Sequence, residues 1–579
     1  MTSRLDLAPD LGTRRPAGVA VRGPRHARAR RHGRLPAWAA AWAASHRRGL
    51  LVVGGLLLIA GVTHGRGMDG WPGRVNDDEG TYVAQAWAVQ HWHTLAHYTY
   101  WYDHPPFGWI QIAAYTWATH AFERTATAVT AGREAMLWVK LASCALLYLL
   151  ARRLRLGRPA AAAAVLLWSL SPLALAFQRM VFLDNLGVMW VLAALVLAAS
   201  PRRSLLAVAG SAACLAAAIL SKETAAVLLP AVALLLWQYR DQRTSSFSLP
   251  LFAAVLALLV VLYPLYAALK NELFEGPGHV SLLWAIKWQL FDRPPSGSLL
   301  DPHSDARALA RSWLDTDPWL LGAGVSLTAV GLAVRRLRAV ALALAIQVVM
   351  LCRNGYVPYA YVTAMLPFAA LLVAGAADTA WNGNRNHHRH RHERRSPAGL
   401  PPNAAGRAAV VAALALGTIV VAPQWSHGIS QAMTVDRSAP ERDATAWATR
   451  HLPHDKLLLV DDNAWTDLVA RGFRPYPIWF YKLDLDPAVR NSLRHGWRDI
   501  DYIMLGPLAP NTLHDLPLVN AALQHSRIVA SFGNGEITIR QVLGHPPAQH
   551  EGGTPTGPDH AGGIRAAVTV GTVLRFSTD

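Results

Sequence analysis

Three carboxylates, Asp77, Asp78 and Glu79, stand side by side in VNDDEGTYVAQAW (75–87), shortly after the first long apolar run of the chain. A carboxylate held beside a hydroxyl can take its proton, the step that turns an alcohol into a nucleophile. Acid at a helix start is also ordinary capping chemistry, favoured by unbonded amides and the macrodipole. If the stretch is helical, Asp78, Tyr82 and Gln85 fall at i, i+4 and i+7 and share a face. Further along, YWYDHPPFGW (100–109) holds Asp103 and His104 before two prolines that keep them extended. Arg179 and Asp184 lie in QRMVFLDN (178–185), and Lys222 in SKET (221–224), both short connections between apolar runs. Ionisable groups at such depths are costly, which makes each a functional candidate. The structural alternatives are an ion pair of Lys222 with Glu223 or Asp184, or snorkelling to the headgroups.

The elements that must position these groups follow from composition. The chain has 579 residues, 52% hydrophobic and 16% charged, with a formal net charge of +18. A soluble chain would carry about 25% charged residues, so this is the profile of a polytopic α-helical membrane protein. An apolar anchor, GLLVVGGLLLIAGVTH, is followed by runs at about 135–151, 159–177, 182–200, 204–220, 224–238, 249–268, 318–334, 338–352, 358–377 and 408–423. Together they make about eleven spans. The segment FGWIQIAAYTWATHAF (107–122) is short, aromatic and amphipathic, and suits a helix lying in the interface. Parity supports that reading. Without a crossing there, ARRLRLGR (151–158), SPRRS, YRDQR, RRLR and NRNHHRHRHERR all share the side of the basic N-terminal tail, as the positive-inside rule requires. The loops 65–132 and 269–317, together with everything after about 424, then lie outside with Asp184 and Lys222. This places the protein in the cell (plasma) membrane, with a cytoplasmic N-terminus and an extracytoplasmic C-terminal region.

Residues 1–48 hold eleven arginines against two aspartates and read as a disordered cytoplasmic tail. No aromatic residue interleaves the arginines up to Arg34, so nucleic acid is not expected as a partner. The span-bearing region runs over 49–423 and includes a basic inner linker at 378–407. Residues 424–545 change character: ERDATAWATRHLP reads as a helix, KLLLVDD as a buried strand, AWTDLVARGF as a helix, DIDYIML as a strand, and SRIVASFGNGEITIRQV as a hairpin turning at Asn534-Gly535. They predict a small outer α/β domain, followed by a flexible tail at 546–579. The three cysteines, Cys144, Cys214 and Cys352, lie in or at the ends of apolar runs and suggest neither disulfides nor a CxxC metal site.

DDEGTYVAQAW, DHPPFGWIQIAAYTW, REAMLWVKLASCALLYLLARRL, RMVFLDNLGVMW and LSKETAAVLLP, in that order over roughly 48–377, resemble the polyprenyl-phosphate-sugar-dependent glycosyltransferases of the GT-C fold. Within that fold the motifs are similar to those of the protein O-mannosyltransferases and of the aminoarabinose transferase of lipid A. The resemblance implies a GT-C transmembrane domain that moves a sugar from a polyprenyl-phosphate donor to an acceptor hydroxyl on the outer face. The acceptor could be a protein, a polysaccharide or a lipid. A single displacement would invert the anomeric centre. The family's Asp-Glu motif falls on Asp78 and Glu79, its outward aspartate on Asp184, its basic residue after the fifth span on Lys222, and its HPP motif on His104 to Pro106. In these roles Asp78 is the expected base, with Glu79 orienting it or the acceptor. Lys222, His104 and Arg179 are the expected phosphate cations; Tyr82, Tyr98 and Tyr102 could pack on a sugar, with anchoring in an aromatic belt as the alternative. Some relatives hold a metal with a loop histidine and the acid before the prolines. Asp103 with His279 or His303 could therefore bind a divalent ion, and no other cofactor is implied. Arg353 and Tyr356 fall near the family's Arg-Tyr pair. A secondary transporter or a non-catalytic scaffold with an outer sensory domain are the alternatives, but internal repeats are absent and the acids sit in loops.

Overall fold

The computed structural model of the protein describes residues 37–74, 77–276, 279–382 and 404–543. The expected N-terminal tail up to residue 36, most of the basic inner linker and the C-terminal tail lie outside them. The chain divides into two units, Met1–Leu50 and Leu51–Asp579. Of the first, the described residues are helical.

The protein is a helical membrane protein. Among the described residues, five helices are long and apolar enough to cross a bilayer: Arg47–Gly65, Ala128–Arg153, Ser245–Leu269, Tyr359–Asn382 and the start of Ala404–His451. The pair Arg158–Leu170 and Pro172–Arg179, bent by 68°, makes a sixth. Leu183–Ala198, Leu205–Ser221, Glu223–Tyr239 and Arg338–Cys352 are shorter apolar helices. The Phe107–Thr119 helix has only 13 residues.

The bend has a definite cause. Pro172 has no N–H, and its ring cannot follow the preceding turn. The carbonyls released at the break need donors, because hydrocarbon supplies none. Lys140, buried in the middle of the Ala128–Arg153 helix, donates to Trp168 O at 3.5 Å, with its ammonium 3.4 Å from the Trp168 ring centroid. A ring nitrogen of His64 lies 3.1 Å from Ser169 O. Ser171 caps the second half of the bent pair and donates to Asp317, whose carboxylate also receives Trp425 Nε1 at 3.2 Å.

Residues 458–542 contribute a five-stranded sheet made of β1 (Leu458–Val460), β2 (Ile478–Trp479), β3 (Tyr502–Leu505), β4 (Ser526–Phe532) and β5 (Ile537–Val542), in the order β2-β1-β3-β5-β4. β1 pairs parallel with β2 and β3, while β5 runs antiparallel to β3 and β4. Every residue of β1 is buried, as expected of a parallel strand covered on both faces. Leu458 and Val460 pack with Ala444, Ala448, Trp465 and Leu468, whereas Leu459 faces Phe480, Leu483, Ile500 and Ile503.

One helix belongs to both layers. Asp78–Trp92 places Tyr82, Val83 and Ala86 in the core of the helical bundle, and Ala84 and Trp87 in the core under β1. Trp87 meets Trp465 edge-on at 5.9 Å. The approach is close because residue 80 is glycine: a Cβ there would lie 2.2 Å from Asn463 N and 2.3 Å from Asp462 C.

Candidate active site

The three acids at the head of the Asp78–Trp92 helix have three different environments. Asp77 occupies the cap position without a side-chain cap bond. Burial pushes its carboxyl well above the usual range, and the neighbouring charges of Asp78, Asp461 and Asp462 add to the rise. Asp78 is exposed. Glu79 is fully buried: Arg133 Nε and Nη2 each donate to it at 2.7 Å, and Val181 N donates at 3.1 Å. Arg133 also holds Met68 O at 2.7 Å and Pro72 O at 3.0 Å. Glu79 is therefore an anchor, its lone pairs committed to a bidentate pair, and is not placed to orient an acceptor.

The HPP segment is brought in by the helix that follows it. A Cβ on Gly108 would lie 2.6 Å from Leu183 Cδ2 and 3.0 Å from Ser221 O, so glycine lets the Phe107–Thr119 helix press against both. Gln111 Nε2 then reaches Ser221 Oγ at 2.8 Å, and Gln111 Oε1 takes Trp190 Nε1 at 2.8 Å. The His104 carbonyl receives the hydroxyls of Tyr100 at 2.7 Å and Tyr263 at 3.1 Å. Asp103 Oδ1 accepts from His104 N at 3.0 Å.

Held in this way, the His104 ring lies between Lys222 and Glu223. Lys222 Nζ is 2.8 Å from Nε2, and Glu223 Oε2 is 3.0 Å from Nδ1. An ammonium donating to Nε2 places the ring proton on Nδ1, where it is shared with the Glu223 carboxylate. Lys222 is the C-cap of Leu205–Ser221 and is almost wholly buried. Burial opposes its charge, but Glu223, Asp184, Asp78 and Asp103 together outweigh that opposition and raise its pKa. Tyr82 is buried with its ring centroid 6.0 Å from that of His104. Asp184, in the first turn of Leu183–Ala198, and Lys222 line a cavity that continues between apolar side chains including Val188, Val191, Val227 and Leu228.

Asp78, Tyr82, Asp103, His104, Asp184 and Lys222 thus gather around one centre. Arg179 does not join them. Its two terminal nitrogens hold Thr63 O and Ala432 O at 2.6 Å, Arg66 O at 2.7 Å and Trp71 O at 3.0 Å, so it ties together three stretches of backbone.

Sequence reasoning missed one cation. Arg293, in the 269–317 segment, stacks on Tyr356 with its guanidinium carbon 3.3 Å from the ring centroid. Burial raises the Tyr356 phenol, which lies within electrostatic reach of Arg293, Asp78 and Lys222. Arg353, the expected partner of Tyr356, is exposed. No signal in the sequence marks Arg293, because its aromatic partner lies 63 residues away along the chain.

The donor set does not fit a divalent ion. Among the described residues no three His, Cys, Asp or Glu side chains converge as a metal would require. His279 turns to Phe274 O at 3.0 Å, and His303 is exposed.

The family of dolichyl-phosphate-mannose-protein mannosyltransferases matches residues 103–266, the stretch from Asp103 through Lys222. No curated protein matches the chain by sequence. Among solved structures, ArnT from Cupriavidus metallidurans bound to undecaprenyl phosphate superposes with a TM-score of 0.54 at 17% identity, covering 87% of this chain and 100% of that one. The same protein in the apo state gives 0.51 at 17% identity, with 87% and 98% covered. The chain has the GT-C fold. The candidate site lies where the 77–106 segment meets the ends of three shorter apolar helices, Leu183–Ala198, Leu205–Ser221 and Glu223–Tyr239.

Proposed function

We propose that the protein is a membrane glycosyltransferase that moves a sugar from a polyprenyl-phosphate donor to an acceptor hydroxyl on the extracytoplasmic face. The observation that carries this reading is the buried Lys222 ammonium, held against the partly buried His104–Glu223 pair and lining a largely apolar cavity, beside the exposed Asp78. A lipid phosphate needs a cation for its head and apolar surface beside it for the chain. The match over 103–266 and the fold shared with a protein that binds undecaprenyl phosphate support it.

In this mechanism Asp78 takes the proton of the acceptor hydroxyl as its oxygen attacks the anomeric carbon. The bond from that carbon to the phosphate oxygen breaks, and its electron pair leaves with the polyprenyl phosphate. Lys222 and Arg293 stabilise the charge that develops there, with Lys222 oriented by His104 and Asp184. Tyr82 and Asp103 border the sugar. A single displacement inverts the anomeric centre.

On this reading the chain crosses the membrane about eleven times with Phe107–Thr119 in the interface, which puts the site and the sheet outside and the basic connectors inside, the arrangement the positive-inside rule favours. The purified chain, reconstituted with polyprenyl-phosphate sugars and a cell-envelope extract, should release polyprenyl phosphate and label an acceptor, as read by mass spectrometry. Lipid-linked sugars should also accumulate in a deletion strain. If no donor is consumed by a folded, inserted protein, and no lipid-linked sugar accumulates, the reading fails.

A further inference from the structure

Arg293 is carried by a segment whose outward edge has no protein partner among the described residues. Residues 282–292 form one helical turn and a half, Leu282–Lys287, continuing as a π-type turn, Trp288–Asp292. The inward edge is buried, with Leu282 2% and Ala285 3% exposed against Tyr102 and Ala267. The opposite edge is apolar and open: Leu283 is 43%, Ile286 44%, Leu290 66% and Phe291 78% exposed. Trp284 and Trp288 lie between the two edges, stacked with centroids 6.3 Å apart, and Lys287 points outward. Belts of tryptophan flanked by lysine are typical of the boundary between headgroups and acyl chains.

The surroundings identify what covers this edge. The preceding Ser245–Leu269 helix is a membrane span whose exposed side chains include Leu258, Leu262, Leu265 and Leu269. Phe274, also exposed, continues that surface toward the 282–291 edge. Leu283 N bonds Leu273 O at 3.2 Å, so the apolar edge adjoins the exposed apolar face of a helix long enough to cross a bilayer.

We infer that residues 282–291 form a membrane-surface element, with Leu283, Ile286, Leu290 and Phe291 seated in the acyl–headgroup boundary on the side of the site. Through this seating the bilayer holds Arg293 over the centre. Arg293 N bonds Trp288 O at 2.7 Å and its side chain bonds Gln289 Oε1 at 2.8 Å, so the helix end and the guanidinium move together. The first statement is independent of the proposed function. The role of Arg293 rests on the lipid-phosphate reading.

The test uses the full chain in lipid nanodiscs with nitroxides placed singly at positions 283, 286 and 290. Collision with oxygen should exceed collision with a water-soluble nickel complex at all three. Dominance of the nickel complex at 286 and 290 places the edge in water and overturns the inference. Low collision with both reagents means that protein covers it, and overturns the inference equally. The consequence for Arg293 is read from Phe291→Lys. In nanodiscs this variant should raise the KM for the lipid donor roughly tenfold, the loss expected from one aromatic anchor, with kcat within about twofold. An unchanged KM separates the seating from the site. A chain without transferase activity would sink the proposed function while leaving the collision result to stand by itself.

Discussion

Glu79 and Asp78 are adjacent acids, and the structure predicts that replacing them will have opposite consequences. Glu79→Gln keeps the shape of the side chain but leaves the Arg133 guanidinium without its counter-charge, and turns an amide NH₂ toward donors in a fully buried site. Breaking a buried ion pair on one side typically destabilises by about 3–5 kcal/mol. For a domain stable by roughly 5–15 kcal/mol, that corresponds to a fall in the unfolding midpoint on the order of 10 °C. Asp78 lies exposed in the first turn of its helix, so Asp78→Asn should cost only about 0.3–1 kcal/mol from the charge lost at the helix start. Yet it removes the proposed proton acceptor and should lower transfer by about 10²–10⁴-fold. The assays are thermal unfolding in nanodiscs and turnover of the lipid donor, run on the same preparations. Removing both charges with Glu79→Leu and Arg133→Met should restore only part of the midpoint, because no charge is then stranded but Val181 N, Met68 O and Pro72 O lose their partners. A Glu79→Gln protein as stable as the parent, or an Asp78→Asn protein as unstable as Glu79→Gln, would refute the assignment of anchor and base.

Other expectations follow from the same contacts. Gly80→Ala should lower transfer by roughly 10²-fold with the protein still inserted, since its Cβ would lie 2.2 Å from Asn463 N and the helix carrying Asp78 must shift by about 1 Å; wild-type turnover would show that the close approach is not needed. Lys222→Ala should raise the donor KM more than it lowers kcat, and a KM that stays fixed while kcat collapses would move Lys222 from binding to chemistry. Asp461, on the loop facing Asp77, has its carboxyl pushed up to about 6 from an ordinary 3.8, chiefly by burial. Its contribution to stability should therefore be complete below about pH 4 and be lost as pH rises through 6. Unfolding midpoints at pH 5 and pH 8 should differ less in Asp461→Asn than in the parent, and an equal difference would count against this account.

Those elements of the site that follow from local chemistry were legible in the sequence. Apolar runs separated by short charged connections placed Asp184, Lys222 and His104 at helix ends, and they converge. The strands over 458–460 and 502–505 follow from short, continuous apolar runs, and the hairpin at Asn534-Gly535 from turn chemistry. What stayed hidden depends on distant partners. Glu79 looks like a catalytic acid until Arg133, 54 residues on, closes over it. Arg179 looks like a phosphate cation until four carbonyls from separate segments surround it. Gly80 reads as an indifferent helix residue, since nothing local announces that Asn463 will press against it. β2, only two residues long, has too little pattern to be seen. Several runs that read as spans are shorter helices, because breaks such as Ser171-Pro172 and Lys222 divide apolar stretches without interrupting their hydrophobicity.

The donation by Lys140 to the carbonyl freed at Pro172 bears on how the chain is made. An ammonium at the centre of a helix raises the free energy of insertion by about 2.5–3.5 kcal/mol. When the Ala128–Arg153 segment first emerges, the carbonyl that will accept it has not been synthesised. Its partner follows 28 residues later along the chain, or roughly 1–6 s at ordinary rates of elongation. Meanwhile the segment carries an uncompensated charge. It should therefore linger at the insertion machinery until the bent pair arrives, and the two should enter the lipid together. A nascent chain truncated after residue 153 should insert less completely than one truncated after 200, with Lys140→Leu removing the difference; equal insertion of both truncations would show that the bilayer tolerates this lysine alone.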